Sequence, residues 1–167
     1  YRRPLMNGTS QKLLSGLETM HTQYLLQGGL PTGQRKGAAD GVVSAGHSGA
    51  TVACGLFIMG RLQGVERPAL AALLPTEKDP VVVLDAGANV DCRPYHLFQF
   101  GLMGDAFARD LLGYASPRVS LLSIGEEEGK GNCQVKEAYE LLKMAQNLNF
   151  VGNAEGRDIS LPATLMW

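Results

Sequence analysis

Lys130 lies beside three glutamates and between glycines, in the stretch GEEEGKGN at positions 125–132. It comes just before Asn132, a residue type that commonly caps helix starts. The unpaired N–H groups and the dipole of a helix start favour an anion, and a lysine adds a positive charge. One inorganic phosphate or one carboxylate would suit this arrangement. The alternative interpretation is that Lys130 only neutralises its glutamate neighbours on a solvated surface.

The same stretch lacks the spacing of a nucleotide-binding loop. A Walker A loop reads G-x-x-x-x-G-K-[ST], but Gly129 lies one residue too close to Gly125, and Gly131 replaces the hydroxyl residue that holds magnesium. The dinucleotide pattern G-x-G-x-x-G is absent as well. A metal site built with Asp85 or Asp91 is possible but has no specific spacing, so we predict neither a metal nor another cofactor.

Three further polar, glycine-rich segments follow predicted strands: SAGHSG at 44–49, DAGANVD at 85–91 and GNAEGRD at 152–158. In the first, His47 is either a general base or a polar turn residue, and Ser48 is either a helix cap or an anion ligand. In the second, Asn89 suits a left-handed turn or donates to a ligand. Cys92 follows this segment directly. It would need an activating neighbour to act as a nucleophile, and Arg93 alone is weak support for such activation.

Strands and helices alternate around these segments. We predict strands at 41–45, 81–85, 118–124 and 149–152, and helices at 49–62, from Asp91 to about Leu112, and over roughly 133–146. Asp91 and Asn132 are the predicted N-caps, Gly113 is the predicted stop, and residues 64–80 are a predicted connection. The order predicts an α/β fold with a parallel sheet. In such sheets ligands bind outside the carboxyl ends of the strands, so the four polar segments should meet at one edge.

Two of the predicted helices carry an apolar face. The residues that we expect to face the core are Phe100, Met103, Phe107 and Leu111 in one helix, and Val135, Ala138, Tyr139, Leu142 and Ala145 in the other.

The composition limits the class of protein. A chain of 167 residues with 45% hydrophobic and 19% charged residues suits one globular domain, and a net charge of −1 argues against a nucleic-acid surface. Three cysteines, Cys54, Cys92 and Cys133, without C-x-x-C spacing indicate a reducing cytosolic setting. Residues 41–60 lack charged side chains, but polar and glycine residues interrupt them, so they make a poor membrane span.

The loops and their flanks resemble one family specifically. The runs DAGANVDCRPYHLFQFGLMGDAFARDLLG and IGEEEGKGN, with ADGVVSAGHSGA before them and NFVGNAEGRDI after them, are similar to the bacterial phosphate acyltransferase (PlsX) family of phospholipid synthesis. The resemblance covers about residues 37–159. It implies transfer of an acyl chain from acyl carrier protein to inorganic phosphate. It also implies a homodimer in the cytoplasm, associated peripherally with the inner membrane.

The resemblance further implies a three-layer, Rossmann-like sandwich like that of phosphotransacetylases and isopropylmalate dehydrogenases. It implicates Lys130 in catalysis, and we expect Asn132 and loop amides to support the oxyanion. Substrate or phosphate binding is expected from the four loops, through Ser44, Gly46, His47, Ser48, Gly49, Asp85, Gly87, Asn89, Asp91, Gly129, Gly131 and Asn153.

The chain also departs from the family pattern. The family usually reads SAGNTGA, so His47 and Ser48 replace Asn and Thr. We expect a poorly defined segment at 1–36, an acyltransferase-like core at 37–159 and an atypical tail at 160–167. Because family members are longer at both ends, we expect an incomplete fold. Two alternatives remain open: a non-catalytic phosphate- or partner-binding module, and an enzyme that uses acyl-coenzyme A.

Overall fold

The computed structural model describes residues 48–76, 79–87, 89, 91–160 and 164–166. The chain divides into two compact units, the first ending at Pro68 and the second beginning at Ala69. The described part of the first unit contains helix α1 (Ser48–Cys54), which continues as a π-helical turn over Gly55–Met59. The predicted helix at 49–62 is therefore present but ends early, because Gly60 adopts a φ of 86°. The predicted strand at 41–45 lies outside the described residues.

The second unit is built on a five-stranded sheet. Its strands are β1 (Ala71–Leu74), β2 (Val81–Leu84), β3 (Val119–Leu122), β4 (Phe150–Ala154) and β5 (Thr164–Met166). Their order across the sheet is β1-β2-β5-β3-β4. Among the strand pairs that the structure describes, β1–β2 is antiparallel and the other three pairs are parallel. The predicted α/β class with a mainly parallel sheet is confirmed.

Two strands differ from the sequence-based expectation. Strand β1 lies inside the segment that was predicted to be a connection, because its Ala-Ala-Leu-Leu composition and the flanking Pro68 and Pro75 give little sign of a strand. Strand β5 lies inside the expected tail and pairs with both β2 and β3. The division of the chain at residues 36 and 159 stays a prediction.

Helix α2 (Pro94–Leu112) follows β2, and its N-cap residue differs from the predicted one. The N-cap is Arg93, not Asp91, because Pro94 occupies the first helical turn and the residue before a proline prefers extended backbone. The N–H of Arg93 donates to Nδ1 of His96 at 3.1 Å. At the other end Gly113 stops the helix as predicted, in a left-handed conformation with a φ of 76°.

Helix α3 (Cys133–Lys143) follows β3 and begins where the sequence predicts. The Asn132 side-chain oxygen accepts a hydrogen bond from the N–H of Val135 at 2.9 Å, so Asn132 is confirmed as the N-cap. The helix ends at Lys143, three residues before the predicted end.

The main core lies between the sheet and these two helices. Its buried residues come from both layers: Val82, Leu84, Leu97, Phe100, Val119, Leu121, Ala138, Leu142 and Leu148. The predicted face of α3 is confirmed, since all five of its residues are buried there or pack against it. In α2 the prediction for Leu111 is wrong: its side chain is 70% exposed, and the neighbouring Leu112 packs on the core instead.

Strand β2 is buried on both faces, as expected of an interior strand in an α/β fold. Val81 and Val83 belong to a second cluster, with Ala154 of β4. Within the described residues, no helix is both long enough and apolar enough to cross a bilayer.

Candidate functional site

The loop after β2 is organised by the buried carboxylate of Asp85. This side chain is 2% exposed, and its backbone adopts a φ of 63°, which is unusual outside glycine but tolerated by aspartate. One carboxylate oxygen accepts from the Asn89 amide at 3.0 Å. The other accepts from the Asn89 backbone N–H at 3.1 Å and lies 3.6 Å from the Cys92 sulfur. These donors offset the cost of burying a charge, so Asp85 fixes the shape of the loop.

A cavity of about 590 Å³ opens between this loop and the start of α3. Its polar lining comes from Asp85, Asn89, Asp91, Ser123, Asn132 and Gln134. The rest of the wall is apolar or backbone, from Cys92, Leu97, Leu122, Ile124, Gly131 and Val135. The cavity lies at the carboxyl ends of β2 and β3, which is the edge where the sequence predicts a site.

Gly131 forms a tight corner of this cavity. Its φ is 96°, and a Cβ atom at this position would come within 2.7 Å of the Val135 side chain and 3.1 Å of the Ser123 hydroxyl. Any side chain would therefore meet both strain and a clash, so this corner requires glycine.

The loop after β3 is held by its three glutamates, and each pairs with a different cation. Glu126 lies 3.8 Å from Arg157 of the following loop, and Glu127 lies 4.0 Å from Lys130 of its own loop. Glu128 pairs with Lys143 at the end of α3, and this hydrogen bond raises the pKa of the Lys143 ammonium. All of these side chains are more than half exposed, so each pair contributes little stability alone. Together they tie the loop to the end of α3 and to the loop after β4, and they connect two positions within the loop itself.

The backbone of the same loop is held by Asn153. Its side-chain amide donates to the carbonyl of Glu127 at 3.0 Å. That carbonyl also accepts from the N–H groups of Gly129 and Lys130, each at 3.0 Å. The Asn153 side-chain oxygen is buried, and no hydrogen-bond partner for it lies among the described residues. The side-chain hydrogen bond of Asn153 thus goes to the loop after β3 that carries Lys130 (the lysine loop), and Asn153 does not line the cavity.

Lys130 lies next to the cavity in sequence but does not line it. Its side chain is 53% exposed, and its contact with Glu127 is long. A cation of this kind can pair with an incoming anion at the start of α3, where the helix dipole also favours negative charge. Asn132 uses its carbonyl oxygen as the cap, so its amide group is the part that can donate to a ligand.

The structure thus brings together five of the expected site residues around the cavity: Asp85, Asn89, Asp91, Gly131 and Asn132. It leaves Gly87, Gly129, Lys130 and Asn153 outside the lining. Ser48 and Gly49 begin α1 in the first unit, and Ser44, Gly46 and His47 lie outside the described residues. The binding and catalytic roles given to all of these residues stay predictions.

Ser123 lines the cavity but was not predicted from the sequence to be a site residue. Its hydroxyl is buried at the cavity wall, and no hydrogen-bond partner for it lies among the described residues. One sign was available, because Ser123 is a polar residue near the end of the apolar run RVSLLSI. Across the described part of the chain, no group of three or more His, Cys, Asp or Glu side chains is placed to hold a metal ion.

Comparison with known proteins now decides the family. The family described as "Fatty acid synthesis protein" matches residues 30–163. The chain belongs to this family. Relatives named phosphate acyltransferase are 76% identical in Nitratidesulfovibrio vulgaris (strain DP4), 73% in Lawsonia intracellularis and 59% in Aquifex aeolicus, each over 125 residues. The family predicted from the loop sequences is confirmed.

These alignments cover 75% of the chain but only 36 or 37% of each relative. The chain therefore spans little more than a third of the length of the curated relatives that it matches.

Two solved structures share the fold. A phosphotransacetylase from Streptococcus pyogenes matches with a TM-score of 0.62 and 16% identity, over 98% of this chain and 58% of that one. The EutD phosphotransacetylase from Staphylococcus aureus matches with a TM-score of 0.55 and 20% identity, over 93% of this chain and 52% of that one. The predicted likeness to the phosphotransacetylase fold is confirmed.

Proposed function

We propose that this protein is a phosphate acyltransferase of phospholipid synthesis, which moves a fatty acyl group from acyl carrier protein to inorganic phosphate. The observation that carries the proposal is the 76% identity over 125 residues to a protein named phosphate acyltransferase. The exposed lysine at a capped helix start, beside a cavity, supports it, because a single anion suits such a place.

The reaction needs no nucleophile from the protein. A phosphate oxygen attacks the carbonyl carbon of the acyl thioester, and a C–O bond forms. The C–S bond then breaks, the carrier leaves as a thiolate that takes up a proton, and the product is an acyl phosphate. The protein has two tasks: it holds two reactants close together, and it stabilises the negative charge that develops on the carbonyl oxygen.

Two residues at the start of α3 are assigned to these tasks. Lys130 pairs with the phosphate and compensates its charge. The Asn132 amide and backbone N–H groups of the loop donate to the developing oxyanion.

Replacement of Lys130 tests the assignment. With acyl carrier protein thioester as donor, phosphate should stimulate release of the carrier thiol, and Lys130→Ala should lower that rate by about a hundredfold or more, because a preorganised charge is lost. Lys136→Ala, at an exposed position on α3, is the matched control and should keep the parent rate. Undiminished release in Lys130→Ala would contradict the proposed role.

The same assay separates the alternatives. Release from acyl-coenzyme A but not from the carrier protein would indicate a phosphotransacetylase-like donor. Phosphate binding without release from either donor would indicate a non-catalytic module.

The wider setting is also part of the proposal. The resemblance of the loop sequences to the phosphate acyltransferase family is the basis for expecting a homodimer, a cytoplasmic location and peripheral association with the inner face of the membrane. Sedimentation of the purified protein and its flotation with vesicles would test the first and the last of these.

A further inference from the structure

The charge of the cavity argues against phosphate inside it. Two carboxylates, Asp85 and Asp91, belong to its wall, and none of the described lining residues is Lys, Arg or His. The Asp85 carboxylate is occupied by donors from its own loop. A phosphate anion that entered would meet negative charge, and the described lining residues offer no cation to balance it. Lys130, the cation that is proposed to pair with phosphate, does not line the cavity.

The remaining surface of the cavity suits a neutral molecule of mixed polarity. Leu97, Leu122 and Val135 supply apolar wall, and Ile124, which is 86% exposed, supplies an apolar rim. The Ser123 hydroxyl is buried in the wall with no partner among the described residues, so it can both donate to and accept from a ligand. The volume of about 590 Å³ lies within the range of small-molecule sites.

We propose that this cavity binds the neutral, amide-containing pantetheine arm that carries the acyl thioester, and that phosphate binds outside it at Lys130. The two reactants meet at Gly131 and Asn132, which line the cavity and follow Lys130 directly in sequence. Ser123 hydrogen-bonds the arm, and Ile124 packs against its apolar part. The identity of the arm rests on the proposed function, since a carrier-bound thioester supplies it.

Binding of the two components can be followed separately by NMR on the full chain. Pantetheine and inorganic phosphate are titrated in turn, and backbone amide shifts are recorded. Pantetheine should perturb the amides of Asn89, Ser123 and Gln134 around the cavity. Phosphate should perturb those of Gly129 and Lys130 instead. Phosphate shifts centred on the cavity, or no binding of pantetheine, would overturn the proposal.

A matched pair of serine variants tests the contact. Ser123→Ala should weaken pantetheine binding about three- to tenfold, the effect of one hydrogen bond, and leave the phosphate dissociation constant unchanged. Ser116→Ala is the control, because Ser116 is exposed, lies outside the lining and accepts from Asn149. A loss of phosphate affinity in Ser123→Ala, or parent affinity for pantetheine, would contradict the assignment.

The outcomes for the subsite and for the activity are distinguishable. Binding of pantetheine and phosphate at separate places, without phosphate-stimulated thiol release, would support the proposed subsite and contradict the proposed activity. Phosphate-stimulated thiol release together with phosphate binding in the cavity would support the proposed activity and contradict the proposed pantetheine subsite.

Discussion

Single residues set the shape of this site through backbone conformation. Asp85 adopts a positive φ so that its carboxylate can turn back and accept donors from Asn89. Gly131 adopts a positive φ so that the chain can pass between Val135 and Ser123 before α3 begins. For Asp85, which is not glycine, such a conformation persists where the surrounding contacts enforce it, and residues of this kind often occur at functional sites.

Replacement of Gly131 should therefore destabilise the protein. Gly131→Ala is expected to lower the free energy of unfolding by about 1–3 kcal/mol, because the new methyl group meets both a strained φ and the Val135 side chain. Chemical denaturation measures the change. Gly129→Ala is the control, since nothing lies within 4 Å of that position, and it should leave stability unchanged or slightly higher. Equal stability of the two variants would contradict this account.

Some of the cavity residues were predictable from the sequence, because their positions follow from strand ends and helix caps. Asp85 and Asn132 are examples, since one ends a predicted strand and the other precedes a predicted helix. Sequence reasoning did not find Ser123, because its place near the end of an apolar run marks it as a polar residue but does not tell whether its hydroxyl has a partner. The assignment of Asn153 to substrate binding stays a prediction, and the structure adds that its side-chain amide donates to Glu127 of the neighbouring loop.

Among the helices and strands, α3 combines a structural role and a proposed chemical role in its N-cap residue, Asn132. The Asn132 carbonyl oxygen holds the first turn, and the amide on the same side chain is the proposed donor to the oxyanion. The two roles use different atoms and can therefore be separated by substitution.

Asn132→Asp and Asn132→Ala should separate them. Aspartate keeps an oxygen for the cap but has no amide, so stability should match the parent while phosphate-dependent thiol release falls. Alanine removes both groups and should also cost about 1 kcal/mol of unfolding free energy. Thermal unfolding and the thiol assay, run on the same preparations, give the two readouts. Parent activity in Asn132→Asp would exclude the amide from the reaction.

Elements with strong local determinants were predictable, and weakly marked ones were not. Helix α2 is bounded by Pro94 and Gly113, and α3 by its asparagine cap, so their positions follow from local chemistry. Strand β1 has no β-branched residue, and β5 has only three residues. Such strands exist because neighbouring strands offer unpaired backbone groups, which is tertiary information that a local pattern lacks.

For the whole molecule, β5 determines the arrangement of the sheet. It lies between β2 and β3, the two strands whose carboxyl ends carry the cavity. Its residues pair with Val83 and Leu84 on one side and with Val119, Ser120 and Leu121 on the other. The spacing of the two loops that line the cavity thus depends on β5, and the order of strands along the sequence does not reveal that position.

Loss of β5 should therefore disrupt the second unit. A chain that ends at residue 160 leaves β2 and β3 without their shared neighbour, and we expect it to lose cooperative thermal unfolding by circular dichroism. Leu165→Pro in the full chain should act in the same direction, because proline cannot donate to a sheet ladder. Leu165→Val keeps the backbone N–H and is the control. A parent-like transition in both disrupted chains would show that β5 is dispensable.

The ion pairs around the lysine loop have a consequence for the rate at which an anion arrives. Lys130, Lys143 and Arg157 lie among four carboxylates, those of Glu126, Glu127, Glu128 and Glu155. At physiological salt, charges are screened beyond about 8 Å, so a distant anion senses this cluster only as a nearly neutral, slightly negative surface. The loop therefore gives no long-range electrostatic steering. Encounter with phosphate would proceed by ordinary diffusion, and selectivity would begin only at contact with the ammonium group.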